Sequence, residues 1–267
     1  MPELPEVEVT RRQLEPLLVG RTIARVRTGS PSYFFLTPPG RLRRRLVGRR
    51  VNALDRVGKY LLASLDDGAR LLMHLGMTGQ IGDAPDDAHT HLVLGFADGG
   101  AEVRFHDVRK FGKVELLEPG AGSPRVDRLG PDALGITPAL LVAASRRRRS
   151  AIKTLLLDQA VVAGVGNIYA DEALFVACVR PTRRAGGVSR EECRRLAYAL
   201  RRILRQGIRA GGSTISDYRR PDGKPGEYQE RHRVYGRTGE PCRRCRTPIR
   251  RRVIGQRSSH FCPRCQR

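Results

Sequence analysis

The chain has 267 residues, of which 50 are basic and 27 acidic, a net charge of +23. Its length exceeds an ordinary single domain, and 40% hydrophobic content is enough to bury a core. No apolar run approaches the roughly 18 residues of a membrane span, and no basic-then-apolar leader opens the chain, so a cytoplasmic protein is expected, with no membrane partner.

Pro5 fits the first turn of a helix that carries Val7, Leu14, Leu17 and Leu18 and stops at Gly20. From Thr22 to about Leu117 the pattern changes to short β-rich runs (TIARVRT, RRVNALDRVGKYLLASL, ARLLMHLGM, THLVLGFADG, AEVRFHDV, KVELLE) separated by turn signals such as Asp67-Gly68. These runs predict an antiparallel sandwich with the first helix beside it, and GAGSPRVDRLGPD reads as a linker. From Thr137 to Arg209 the period is helical. Cys193, Leu196, Leu200 and Leu204 share one face behind a Ser189 cap with Glu192 three residues on. Before that helix, two more are joined by the glycine-rich turn 163–167, which either presents backbone N–H groups to a phosphate or is an ordinary hairpin.

Near the C-terminus, Cys242-x2-Cys245 and Cys262-x2-Cys265 stand sixteen residues apart, the spacing of a four-cysteine zinc site. Disulfides are the alternative, and a reducing compartment disfavours them. With four sulfurs on one tetrahedral ion no position is left for substrate, so the Zn2+ is structural. Between the pairs lie Arg246, Arg250, Arg251, Arg252 and Arg257, a set suited to phosphates. Cys178 and Cys193 lie on apolar helical stretches and read as inert core thiols.

The charge as a whole asks for a polyanion, nucleic acid foremost, against the plainer explanation of arginine-favouring codon usage. Only five of the basic residues are lysines (Lys59, Lys110, Lys113, Lys153 and Lys224), each a candidate for a place where a compact ammonium is not replaceable by a guanidinium. The opening MPELPEVEV has two readings: a stiff lead-in to a helix, or an N-terminus that is itself a reagent.

MPELPEVE, VGKYLL, HLGMTG, DVRKFG, GVGNIYADEALF, DGKPG, VYGRTGEPC and the closing CPRCQ follow in the order and spacing of bacterial formamidopyrimidine-DNA glycosylases, which the chain resembles over essentially its whole length. The resemblance implies an α+β protein in three parts. These are an N-terminal antiparallel β-sandwich with a flanking helix over 1–120, a helix–two-turn–helix DNA-binding region with a lesion loop over 130–225, and a C-terminal β-hairpin zinc finger over 233–267.

It further implies a monomeric enzyme acting on double-stranded damaged DNA. Such an enzyme excises oxidised purines and then cuts the strand at the abasic site by β,δ-elimination. Pro2, freed of Met1, would be a secondary-amine nucleophile; an α-amino group titrates near pH 8, well below a lysine. Glu3 would move protons, Lys59 would contact the phosphate beside the lesion and assist proton transfer, and Arg257 would grip the flanking phosphates. Met77, Arg109 and Phe111 would fill the gap left by the extruded nucleotide, although without the family Met77 and Phe111 read as core residues. His89, Arg148 (within the run Arg146–Arg149), Lys153 and Asn167 would contact the DNA backbone.

This chain departs from the family pattern at several places. It has no tryptophan, whereas the family commonly has one after the Arg-Lys-Phe-Gly motif, near Lys113 here. Gln256 stands where glycine is usual, and GSPSYFFLTPPGRLRRRL has no counterpart among the family motifs. Two other readings remain at this level: an endonuclease VIII-like enzyme for oxidised pyrimidines, and a zinc-dependent lesion-binding protein without catalysis. Against the first, that branch typically opens Pro-Glu-Gly-Pro, and this chain opens Pro2-Glu3-Leu4-Pro5.

Overall fold

A computed structural model describes residues 1–215 and 217–267. The chain forms two compact units: Met1–Asp127 with Ala210–Glu227, and Arg128–Arg209 with Tyr228–Arg267.

The first unit runs α1 (Leu4–Leu18), β1 (Ile23–Thr28), α2 (Pro39–Leu46), β2 (Val51–Val57), β3 (Tyr60–Leu65), β4 (Arg70–His74), β5 (Gln80–Gly82), β6 (Thr90–Phe96), β7 (Val103–His106), β8 (Lys113–Leu117) and the single turn α3 (Pro124–Asp127). Its strands form two antiparallel four-stranded sheets, ordered β1-β6-β7-β5 and β2-β3-β4-β8. Alternating residues of both sheets, such as Val26, Leu92 and Phe105 from one and Leu54, Leu61, Met73 and Val114 from the other, share one core with Val7, Leu14 and Leu18 of α1. The run RRVNALDRVGKYLLASL splits into β2 and β3 at a hairpin where Gly58 takes a φ of +59°.

The sequence pattern does not reveal α2 or β5. Helix α2 hides its apolar period inside an arginine run, with only Leu42 and Leu46, one turn apart, fully buried. The preceding aromatics divide by position. Phe34 is fully buried and meets Phe35 and Phe105 edge-on with ring centroids 4.9 Å away, so it plugs the sandwich and contributes roughly 1.5–3 kcal/mol by burial. Tyr33, one residue earlier, is 57% exposed.

The second unit contains α4 (Pro138–Ser145), α5 (Ile152–Leu157), α6 (Asn167–Val176), α7 (Arg190–Arg209) and the hairpin β9 (Arg250–Ile254)–β10 (Arg257–Phe261). Helix α7 opens on the expected reciprocal cap: Ser189 N–H donates to Glu192 Oε2 at 2.8 Å, and Glu192 N–H donates to Ser189 Oγ at 3.2 Å. Between α5 and α6 the Gln159 side chain staples the turn. It donates to the carbonyls of Leu157 and Val165 and accepts from Gly164 N–H, each at 2.9 Å. The expectation for Cys193 agrees with its burial, but Cys178 differs: it lies past the end of α6, half-buried, at φ +61°, and its Sγ accepts from Arg244 Nη1 at 2.9 Å. Among the described residues no helix is long and apolar enough to cross a membrane.

Candidate active site and nucleic-acid interface

The head of α1 gathers carboxylates that a protein of net +23 would be expected to keep in water. Pro2 is buried, and Glu3, the N-cap residue, is only 3% exposed. Glu3 and Glu6 form a capping box, with Glu3 N–H donating to Glu6 Oε2 at 2.9 Å. The other oxygen of Glu6 accepts from Ser213 N–H at 2.7 Å, tying the helix start to the returning segment 210–227 of the same unit. One turn on, buried Glu8 is bound by Arg12 at 2.8 Å and Arg56 at 3.0 Å. Burial would raise its pKa, but the guanidiniums of Arg12, Arg56 and Arg11 outweigh burial and hold it below the usual carboxylate range.

Lys59 sits in the β2–β3 turn, 7% exposed. Its charge is felt by His74, whose pKa drops to about 4 because it is buried and because Lys59, Lys113 and Arg125 repel a second cation. His74 accepts from Gly76 N–H at 3.1 Å through Nδ1, so the strand end before Met77 is organised by a neutral imidazole.

Two turns of this unit present side chains outward. Met77 is 37% exposed and Phe111 41%, so neither is a core residue. The turns are interlocked: a Cβ on Gly76 would lie 2.4 Å from Gly112 N, a clash that excludes any larger residue. Buried Asp107 braces the second turn, accepting from Gly112 N–H at 2.6 Å and from the Thr78 hydroxyl, which in turn accepts from Arg109 N–H at 3.2 Å. The Arg109 guanidinium lies over the Phe111 ring at 4.6 Å. Asp107 N–H donates to His89 O at 2.9 Å, so exposed His89 belongs to the same assembly.

In the second unit Lys153 is fully buried. Its Nζ lies 2.6 Å from Asp171 Oδ1 and donates to Ser258 O at 2.8 Å, while Asp171 Oδ2 accepts from His260 N–H at 2.8 Å. Lys153 therefore ties α5, α6 and β10 together rather than offering its ammonium to solvent. Arg148 and Arg257, both exposed, line one open groove of about 420 Å3 with Thr154, Asp158 and Gly255, and Arg148 is paired with Asp158 at 3.5 Å. Asn167 begins α6, and its buried Oδ1 has no hydrogen-bond partner among the described residues. The hairpin turn has Gly255 at φ +54° and Gln256 at +61°, so the chain bends as a two-residue turn despite a non-glycine residue in the left-handed region.

The four sulfurs of Cys242, Cys245, Cys262 and Cys265 lie within 4.8 Å of one another. Cys242 and Cys265 are 4.0 Å apart and Cys245 and Cys262 3.4 Å, too long for disulfides and close to the edge of about 3.8 Å set by tetrahedral zinc–thiolate bonds. The residues present fit zinc. Around them Phe175, Val234 and Ile249 form a small core, too small to hold a hairpin without a metal.

The sequence matches the formamidopyrimidine-DNA glycosylase N-terminal domain over residues 1–114, the helix–two-turn–helix domain of the same enzymes over 129–219, and the zinc finger found in these glycosylases and isoleucyl-tRNA synthetases over 239–267. A protein of Herpetosiphon aurantiacus named formamidopyrimidine-DNA glycosylase is 46% identical, with both chains covered completely. The chain belongs to the formamidopyrimidine-DNA glycosylase family.

Among solved structures, the MutM (Fpg) protein of Thermus thermophilus superposes with a TM-score of 0.90 at 44% identity, covering 99% of this chain and 98% of that one. The Lactococcus lactis Fpg bound to DNA containing N7-benzyl-Fapy-dG gives 0.91 at 36% identity, with full coverage of both. As in other family members, the finger holds one structural zinc ion through its four cysteines. Sequence reasoning missed Glu6, Glu8, Asp107 and Asp171. All four are acidic and buried, and acid retained in so basic a chain was the available signal.

Proposed function

We propose that this glycosylase excises oxidised purines, 8-oxoguanine and formamidopyrimidines, from double-stranded DNA in base excision repair, and then cleaves the abasic strand, acting as a monomer. The observation that carries the reading is the buried Pro2-Glu3 step at the head of α1, where a proline placed to become the N-terminal amine stands beside a buried carboxylate. With Met1 removed, the Pro2 nitrogen attacks deoxyribose C1′, and the damaged base leaves with the electron pair of the glycosidic bond. Glu3 takes up the proton that the Pro2 nitrogen sheds and delivers it to the ring oxygen, so the bond from C1′ to that oxygen breaks and a cationic iminium remains. That cation acidifies the C2′ proton, so the 3′ phosphate departs by β-elimination and the 5′ phosphate by a second elimination.

Lys59 holds the phosphate beside the lesion and assists proton transfer there. Met77, Arg109 and Phe111 occupy the space vacated by the flipped nucleotide, offsetting a cost of a few kcal/mol. Arg257 and Arg148, which share a groove, His89 and the amide of Asn167 hold the backbone. Lys153 supports this set from within, by fixing the strand that begins at Arg257. Functionally the chain divides into the catalytic sandwich at 1–120, the DNA-binding region with its lesion loop at 130–225 and the finger at 233–267; Ser216 of that loop lies outside the described residues. A protein of this charge and task is nucleoid-associated.

The test is reductive trapping. Mature protein with a duplex carrying one 8-oxoguanine opposite cytosine, treated with borohydride, should give a covalent adduct that peptide mapping places on Pro2. Protein shown to lack Met1 that yields no adduct there would overturn the assignment.

A further inference from the structure

Tyr33 lies far in sequence from the turn that carries Arg109 and Phe111, yet it touches that turn. Its hydroxyl donates to Arg109 O at 2.9 Å, and its ring lies 6.4 Å from that of Phe111 at an interplanar angle of 47°. The Lys113 ammonium is 4.8 Å from the centre of the Tyr33 ring and also donates to Gly112 O at 3.0 Å. The turn therefore has two braces. Asp107 and Thr78 hold it from the buried side, and Tyr33 with Lys113 holds it from the solvent side. Between them lies Lys110 at φ +56°, a left-handed conformation that a lysine adopts only when its surroundings impose it. An exposed tyrosine gains little by packing on a surface turn, so its hydrogen bond to a carbonyl that lies between the two gap-filling side chains calls for a functional account.

We propose that Tyr33 is a positioning residue for nucleotide extrusion: with Lys113 it fixes the Arg109–Phe111 turn before DNA arrives, so that the side chains entering the duplex need not be ordered at that moment. This rests on the reading of Arg109 and Phe111 as gap-filling residues. In a chain without tryptophan, the aromatic support of this turn comes from a residue about eighty positions upstream of it in sequence. Ordering the turn in advance lowers the cost of flipping a paired base. It does nothing for a base that is already unpaired.

The experiment compares single-turnover excision of 8-oxoguanine from a fully paired duplex and from an unpaired bubble, for the wild type, Tyr33→Phe and Phe111→Ala. Tyr33→Phe keeps the ring and removes only the bond to Arg109 O, so the melting temperature should stay at the wild-type value. The expected result is a loss of about fivefold on the duplex, the effect one neutral hydrogen bond supports, with wild-type rate on the bubble. Phe111→Ala should show a larger loss with the same substrate dependence. Equal losses for Tyr33→Phe on both substrates, or none on the duplex, would overturn the proposal. If Phe111→Ala loses activity equally on both substrates, the gap-filling reading itself falls; a duplex-specific loss in Phe111→Ala alone leaves that reading standing and removes only the role of Tyr33.

Discussion

Two of the five lysines are buried, one in each unit, and they stand on different kinds of element. Lys153 is sealed from solvent with its charge answered by Asp171 and the Ser258 carbonyl. Lys59 is nearly as buried, but it sits in the turn between β2 and β3, close enough to His74 to add to the burial that brings that imidazole down to about 4. The first arrangement fixes structure, because a matched charge inside a protein is costly to disturb and has nothing left to give a substrate. The second puts an ammonium on a turn, the kind of segment from which side chains reach ligands. Burial alone therefore does not separate a structural lysine from a functional one; the elements it ties together and the turn or helix that carries it do.

The comparison is sharpest under truncation to an isosteric apolar residue. Lys59→Met should reduce single-turnover excision by about 10^2–10^4, the span of a lost proton-transfer group, with DNA affinity and melting temperature little changed. Lys153→Met should do the reverse. Leaving Asp171 buried without its cation should cost about 3–5 kcal/mol in denaturant-measured stability of the second unit. Adding Asp171→Asn, which removes the unanswered charge and keeps an oxygen for His260 N–H, should recover part of that loss; a Lys153→Met protein of wild-type stability would contradict the structural role.

His74 gives a pH test of the field around Lys59. Its folded pKa lies below the ordinary imidazole value, so the unfolded chain binds the proton more readily. Its contribution is fully present above about pH 6.5 and is lost as pH falls towards 4, by at most about 3 kcal/mol. His74→Gln should flatten that part of the stability profile, and a profile unchanged by the substitution would mean the histidine is not held neutral. The smallest effect belongs to the finger tip. Gln256→Gly should stabilise the hairpin by up to about 1 kcal/mol by relieving a left-handed glutamine, visible as a small rise in the melting temperature of the zinc-loaded protein.

The sequence by itself determined most of the order of elements and the four thiols with their metal, because each rests on local spacing, while the candidate residues of the chemistry came from the resemblance to the family. Strand runs, the Ser189–Glu192 cap and two C-x-x-C pairs are legible within a few residues. It did not reveal α2, whose two buried leucines are hidden in an arginine run, or the exposure of Met77 and Phe111, whose side chains look like core. Nor did it show that Lys153 is an internal brace. Those outcomes depend on partners far away in the chain: Asp171 for Lys153, Gly112 packed on Gly76, Tyr33 against Arg109. Local pattern specifies what a segment is, whereas which side chains are left free to act is settled only when distant segments meet and neutralise the rest.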